Sequence, residues 1–193
     1  MRVATHFALW AVGLARAETQ TTEAERQALE QAVARRSRVV EIGVWHGVTT
    51  ARLKAAMDPR GTLYAVDPFE PGRLGLSFQA LIARREVARV QGAVVHWVRK
   101  TGVDAAPIIA RDGLVDAVFI DGDHSYGGLE SDWLAWSERV IPGGIIALHD
   151  SVSSPVRNID DAGSVRFTRE KVMSDRRFER AGRVDSLTLW RRL

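Results

Sequence analysis

The stretch Val39 to Thr50, VVEIGVWHGVTT, constrains this chain more than any other. The apolar pair Val39-Val40 leads into Glu41, Ile42 and Gly43, and Gly47 follows four residues on, ahead of Thr49 and Thr50. The pattern reads as a first parallel strand ending in a tight glycine turn that opens a helix. Glycine allows backbone to approach backbone, or a ligand, where a Cβ would clash. The helix start offers free N–H groups to an anion. The spacing is G-x-x-x-G and differs from the G-x-G-x-x-G of dinucleotide binding. Any strand-to-helix turn can carry two glycines, so the context has to decide.

That context is an alternation of strands and helices. Strands are expected at Arg38–Ile42, Thr62–Val66, Ala93–Val98, Ala117–Ile120 and Ile145–Leu148, followed by a hairpin of Phe178–Val184 and Ser186–Trp190. Helices are expected at Thr5–Ala17, Thr21–Arg36, Thr49–Met57, Ser77–Val90, Ala105–Arg111, Leu129–Val140 and Ala162–Ser174. This order gives an α/β, doubly wound, mostly parallel sheet with a C-terminal antiparallel hairpin. The apolar runs of strands one, four and five suit strands covered on both faces. The 193 residues suit a single domain, with N-terminal helices over 1–36 and the sheet core over 38–193.

In such sheets ligands bind beyond the carboxyl ends of the strands, at the switch point. The polar residues of interest all fall there. Glu41 and Gly43 follow strand one, Asp67 follows strand two, Asp121 strand four, and His149-Asp150 strand five.

Composition removes several alternatives. There is no cysteine, which excludes disulfides and thiolate chemistry and leaves oxygen and imidazole as metal ligands. Phe7–Ala15 is too short to span a bilayer, so no membrane partner is expected. Met1-Arg2 and Phe7–Ala17 share the outline of a secretory leader, but one charge and no clear cleavage context favour a docked N-terminal helix and a cytoplasmic location. The net charge of +3 comes from arginines dispersed along the chain, not the single aromatic-lined basic face of a nucleic-acid binder. A modest attraction for anionic substrates remains.

Four motifs in order carry a resemblance: Val39–Thr50; Tyr64-Ala65-Val66-Asp67; Phe119-Ile120-Asp121-Gly122-Asp123-His124-Ser125-Tyr126; and Gly143-Gly144-Ile145-Ile146-Ala147-Leu148-His149-Asp150. Together they resemble the class I S-adenosylmethionine (SAM)-dependent methyltransferases, over about Glu23 to Leu193. The nearest likeness is to a small bacterial family whose relatives include metal-dependent sugar O-methyltransferases of macrolide and polysaccharide biosynthesis. The resemblance implies a seven-stranded Rossmann-like sheet. It implies that Glu41, Gly43, Gly47, Thr49 and Thr50 lie against the methionine part of SAM, that Asp67 holds the ribose hydroxyls, and that Asp121 belongs to the cofactor site. The adenine contacts are implied around Trp97–Thr101.

In the metal-dependent relatives an Asp after strand four and a pair of acidic or amide residues after strand five hold a divalent cation. Asp121 and Asp150 match, and His149 stands where an oxygen ligand is usual. The implied ion is Mg²⁺, or Mn²⁺ if His149 is the third ligand. In relatives with D-x-x-H the His is the general base, which carries over to His124; His149 is the second catalytic candidate. The implied acceptor is a hydroxyl of a sugar or other small molecule.

The residues alone leave other readings open. Asp67 could form the turn before Pro68, Glu41 a salt bridge near the strand end, His124 a cap before Tyr126, and His149 a satisfied buried histidine. A metal-independent small-molecule methyltransferase and an RNA-modifying one are the alternative functions. Exposed apolar residues in the N-terminal helix could serve a homodimer or a substrate lid.

Overall fold

The strands are β1 (Arg38–Ile42), β2 (Thr62–Val66), β3 (Val94–Val98), β4 (Val115–Ile120), β5 (Val140–Leu148), β6 (Phe178–Val184) and β7 (Leu187–Arg192). In the computed structural model, which describes residues 3–72, 75–155 and 157–193, they form one sheet in the order β3-β2-β1-β4-β5-β7-β6. β1 to β5 run parallel, and β7 lies antiparallel between β5 and β6. The helices are α1 (Val3–Ala11), α2 (Glu23–Val33), α3 (Val48–Ala56), α4 (Phe78–Ala88), α5 (Gly102–Ile109), α6 (Tyr126–Trp136) and α7 (Gly163–Glu170).

The central strands are largely apolar because alternate residues enter two cores. Val40, Ile42, Val118, Ile120, Ile146 and Leu148 pack on one face with Trp133, Trp136 and Phe167. Val39, Leu63, Phe119 and Ala147 pack on the other with Leu29, Val33 and Leu53. Burying a side chain of this size stabilises by about 1.5–3 kcal/mol. The two layers of helix are what the period-2 pattern of doubly covered strands requires.

Several boundaries differ from the sequence expectation, for local reasons. The first helix stops at Ala11 instead of Ala17, next to Gly13 at φ +79°, a backbone geometry that ends helices. α5 starts at Gly102, three residues earlier than expected, because the Thr101 side chain caps it by accepting from the Asp104 amide. α6 starts at Tyr126, where Ser125 accepts from the Gly128 amide. β5 begins at Val140, ahead of the expected Ile145, so Pro142-Gly143-Gly144 lies within it, where the pairing with β4 shifts register and Gly143 takes φ +78°.

The N-terminal helix is docked, as its length and composition suggested. Phe7 stacks on Phe78 with ring centroids 4.7 Å apart, and Trp10 Nε1 donates to Glu86 Oε1 at 2.9 Å. Met1 and Arg2, part of the leader outline, lie outside the described residues, as do Arg73 and Leu74. Among the described residues no helix is long and apolar enough to cross a membrane.

Candidate active site

From β1 the chain winds outward through β2 to β3, then returns to place β4 on the other side of β1. The two directions leave a crevice at the carboxyl ends of β1 and β4. A cleft of about 670 Å³ opens there. One wall is the β1–α3 loop, with Gly43, Val44, Trp45 and Thr49. Asp67 stands at the end of β2, Thr101–Val103 at the start of α5, and Asp121–His124 after β4. Glu18, Thr19 and Gln20, from the segment joining α1 to α2, close the remaining side.

The two glycines have separate causes. Gly43 sits at φ +87°, and a Cβ there would stand 2.1 Å from the Asp121 carbonyl oxygen. Its bareness lets β1 and β4 end side by side. Gly47 sits at φ +74°, and a Cβ would meet the Ala83 backbone of α4 at 2.9 Å. Gly47 therefore serves helix packing and is not part of the cleft wall.

Asp67 combines the turn and the site. Its Oδ1 accepts from the Phe69 amide at 2.7 Å, and its Oδ2 accepts from the Val44 and Trp45 amides at 2.9 and 3.3 Å. The carboxylate thus ties the glycine loop to β2 while facing the cleft, and keeps lone pairs for further donors. Thr49 lines the cleft and its hydroxyl shares a hydrogen bond with Thr21 at 3.2 Å.

Glu41 and Thr50 lie outside the cleft wall. Glu41 is fully buried, and neither carboxyl oxygen nor the Thr50 hydroxyl has a hydrogen-bond partner. Burial drives the Glu41 pKa well above the carboxylate range; the nearby Thr50 hydroxyl opposes this, and Asp121 and Asp67 add to it.

At the ends of β4 and β5 four side chains converge. His149, 2% exposed, places Nδ1 2.8 Å from Asp121 Oδ1 and 3.6 Å from Asp150 Oδ1. Its Nε2 lies 3.3 Å from Glu25 Oε2. Burial pulls its pKa down, but Asp121 and Glu25 outweigh that and hold it at about 10. His124 spans the same carboxylates, Nε2 3.5 Å from Asp121 and Nδ1 3.6 Å from Asp150. Asp150 takes φ +48°, a left-handed conformation uncommon for a non-glycine residue. Its Oδ2 pairs with Arg157 at 2.8 Å.

The cluster fits a divalent ion. His149 Nδ1 and Asp150 Oδ1 are both buried without a hydrogen-bond partner, since the short His149–Asp121 contact is not aligned as a hydrogen bond. Ligand atoms of Asp121, His124 and His149 all lie within 4.8 Å of one another. Neighbouring ligands of an octahedral ion with bonds of about 2.1 Å stand about 3 Å apart; the Asp121–His149 pair at 2.8 Å matches that, and the His124 and Asp150 contacts at 3.5–3.6 Å are wider. Glu25 would orient His149 from its other nitrogen, the usual outer support of a ligating imidazole.

A methyltransferase-domain family matches residues 40–151, from β1 through the end of β5. The chain belongs to that family. It is a class I, SAM-dependent methyltransferase. No curated protein sequence matches the methyltransferase. Among solved structures it is similar to the O-methyltransferase TomG from Streptomyces achromogenes, involved in tomaymycin synthesis and in complex with SAM. The TM-score is 0.68 at 18% identity, covering 98% of this chain and 88% of that one. It is also similar to an O-methyltransferase from Bacillus cereus in complex with SAH, with a TM-score of 0.64 at 19% identity and coverage of 98% and 89%. An rRNA methylase from Streptococcus thermophilus has a TM-score of 0.60 at 13% identity, covering 91% of this chain and 99% of that one. At these identities the likeness is one of fold.

Three side chains beside the cluster or the cleft carry no signal in the sequence. Glu25 signals only a capping box with Thr22, which it forms, and its partnership with His149 spans 124 positions. Arg157 lies in a polar loop with no pattern of its own. Asp132 lies on the buried face of α6 and also lines the cleft, a dual position no spacing announces.

Proposed function

We propose that this methyltransferase transfers the methyl group of SAM to a hydroxyl oxygen of a small molecule, with a sugar or similar polyol as the preferred class. The observation that carries the reading is the cluster of Asp121, His124, His149 and Asp150 beside a cleft that Gly43 and Asp67 shape. The O-methyltransferase folds of TomG and the Bacillus cereus protein support the same reaction class.

His124 is the half-exposed member of the cluster and faces the cleft. It takes the proton of the acceptor hydroxyl as the oxygen attacks the methyl carbon in line with the departing sulfur. The C–S bond breaks as the O–C bond forms, and the sulfonium leaves as the neutral thioether SAH. Asp121 and Asp150 hold the imidazole between them and stabilise it once protonated. Alignment of the two reactants supplies much of the rate.

Asp121, His149 and Asp150 are the residues that would hold Mg²⁺ or Mn²⁺, and the nitrogen donor favours Mn²⁺. Such an ion supplies positive charge that stabilises an oxyanion.

The test is transfer of labelled methyl from SAM to a panel of sugars, nucleotide sugars and phenols, with Mg²⁺, Mn²⁺ or EDTA. Transfer to a hydroxyl that falls about 10²–10⁴-fold in His124→Ala supports the reading. Transfer to nitrogen or RNA alone overturns it, and activity unchanged by EDTA removes the metal.

A further inference from the structure

Two histidines outside the chemistry above stand together beside the glycine loop. His6 lies on α1 and His46 in the β1–α3 loop, and both are buried, at 6% and 3% exposed. Their rings stack, with centroids 4.9 Å apart and planes 5° from parallel. Both present Nδ1 to the same residue. His46 Nδ1 accepts from the Glu18 amide at 3.0 Å, and His6 Nδ1 lies 3.3 Å from Glu18 Oε1. Glu18 belongs to the segment joining α1 to α2 and lines the cleft.

His6 is the costly member. Neither of its ring nitrogens makes a hydrogen bond among the described residues, because the contact with Glu18 is not aligned as one. A buried polar group without a partner calls for a physical reason, and a bound ion is one. An apolar side chain would fill the same space without that cost.

The surroundings suit an ion. Ligand atoms of His6, Glu18 and His46 all lie within 4.8 Å of one another. Two imidazoles and a carboxylate are the donor set of Zn²⁺, which takes three protein ligands and leaves a fourth position to water. An imidazole binds metal only in its neutral form. Burial lowers the pKa of His46, and His6 lowers it further against the opposing pull of Glu18 and Glu86. The ring is thus biased towards the form that binds.

An ion binds along a lone pair in the plane of each ring, so the parallel stack has to open. His6 turns without giving up a hydrogen bond. His46 exchanges the Glu18 amide for the ion, and that amide, on an exposed residue, turns to water.

We propose that His6 Nδ1, His46 Nδ1 and the Glu18 carboxylate hold a Zn²⁺ ion that clasps α1 and the α1–α2 segment onto the glycine loop. The site shares no residue with the cluster of Asp121, His124, His149 and Asp150. Its ion fixes the side of the cleft that Glu18, Thr19 and Gln20 close, and takes no part in methyl transfer.

Equilibrium dialysis of untagged, chelator-treated protein against Zn²⁺ tests this on the full chain. Wild-type protein binds an ion whose affinity falls by more than about 100-fold in His6→Ala and in His46→Gln, beyond the loss that an outer contact gives. Glu18→Gln, an exposed substitution that disturbs no core packing, lowers it by at least about tenfold and decides the matter should the histidine variants not fold. His124→Ala, in the other cluster, leaves this ion bound. Zn²⁺ raises the melting temperature of the wild type and of His124→Ala, and not that of His6→Ala. Zn²⁺ binding that is absent from the wild type, unchanged in Glu18→Gln, or lost only in His124→Ala overturns the assignment.

Discussion

His149 Nδ1 stands 2.8 Å from Asp121 Oδ1, joining the carboxyl ends of two neighbouring parallel strands through a buried contact. The same imidazole reaches Glu25 on α2 with its other nitrogen. One side chain thus ties α2 to the carboxyl end of the sheet, and its charge state bears on stability.

The alkaline limb of stability follows from that charge. His149 has a pKa of about 10 in the folded protein against an ordinary value of 6.5. Below about pH 6.5 folded and unfolded chains both carry the proton, and the pairing contributes in full. As the pH climbs from there through about 10 the unfolded chain has released a proton the folded one still holds, so this contribution is lost. Urea denaturation of chelator-treated protein between about pH 7 and pH 10 should show the decline, and His149→Gln should flatten it.

Glu25 gives the acid counterpart. Burial raises its pKa, but hydrogen bonds from His149, the Thr22 amide and Ser186 lower it to about 2, from 4.5. Its contribution is complete above pH 4.5 and is lost as the pH falls through about 2. Glu25→Gln leaves the His149 imidazolium with one partner fewer. At neutral pH we expect a loss of about 3 kcal/mol, read by urea or thermal denaturation, with a shallower acid limb than the wild type.

Gly43→Ala should cost more than an ordinary glycine substitution. The new methyl would meet the Asp121 carbonyl at 2.1 Å, and the φ of +87° is unfavourable for alanine. A loss of at least about 3 kcal/mol is expected. At Gly13, with φ +79° and nothing within 4 Å of a Cβ, alanine should cost about 1 kcal/mol. Thermal melts of the two variants separate backbone strain from the close approach of β1 to β4.

Asp67 holds the glycine loop through the Val44 and Trp45 amides and its own turn through the Phe69 amide. Asp67→Ala should weaken SAH binding about 100-fold or more and lower the melting temperature together, since each lost hydrogen bond to a charge is worth about 1.5–3 kcal/mol. Calorimetry and a thermal melt on the same sample check the coupling. A variant that melts like the wild type and binds SAH with unchanged affinity would refute the dual role.

The legible parts were those whose chemistry is local. The order of strands and helices could be read because apolar periodicity and turn residues act over a few neighbours. The acids and histidines at strand ends could be placed because parallel strands share one carboxyl edge. Helix ends were less clear. Gly102 begins α5 because Thr101 caps it, a signal outweighed in the sequence by Pro107 further along.

The sequence by itself determined that this chain builds a doubly wound sheet with Gly43, Asp67, Asp121, His124 and Asp150 on its ligand-binding edge. Only the tertiary structure decided which of those residues face the cleft. It turned Glu41 inward without a hydrogen-bond partner and set Gly47 against Ala83. It paired His149 with Glu25 and brought Asp132 beside Gly102. These are contacts between residues distant in the chain. Their distances and their protonation depend on packing and desolvation, which no short-range pattern encodes.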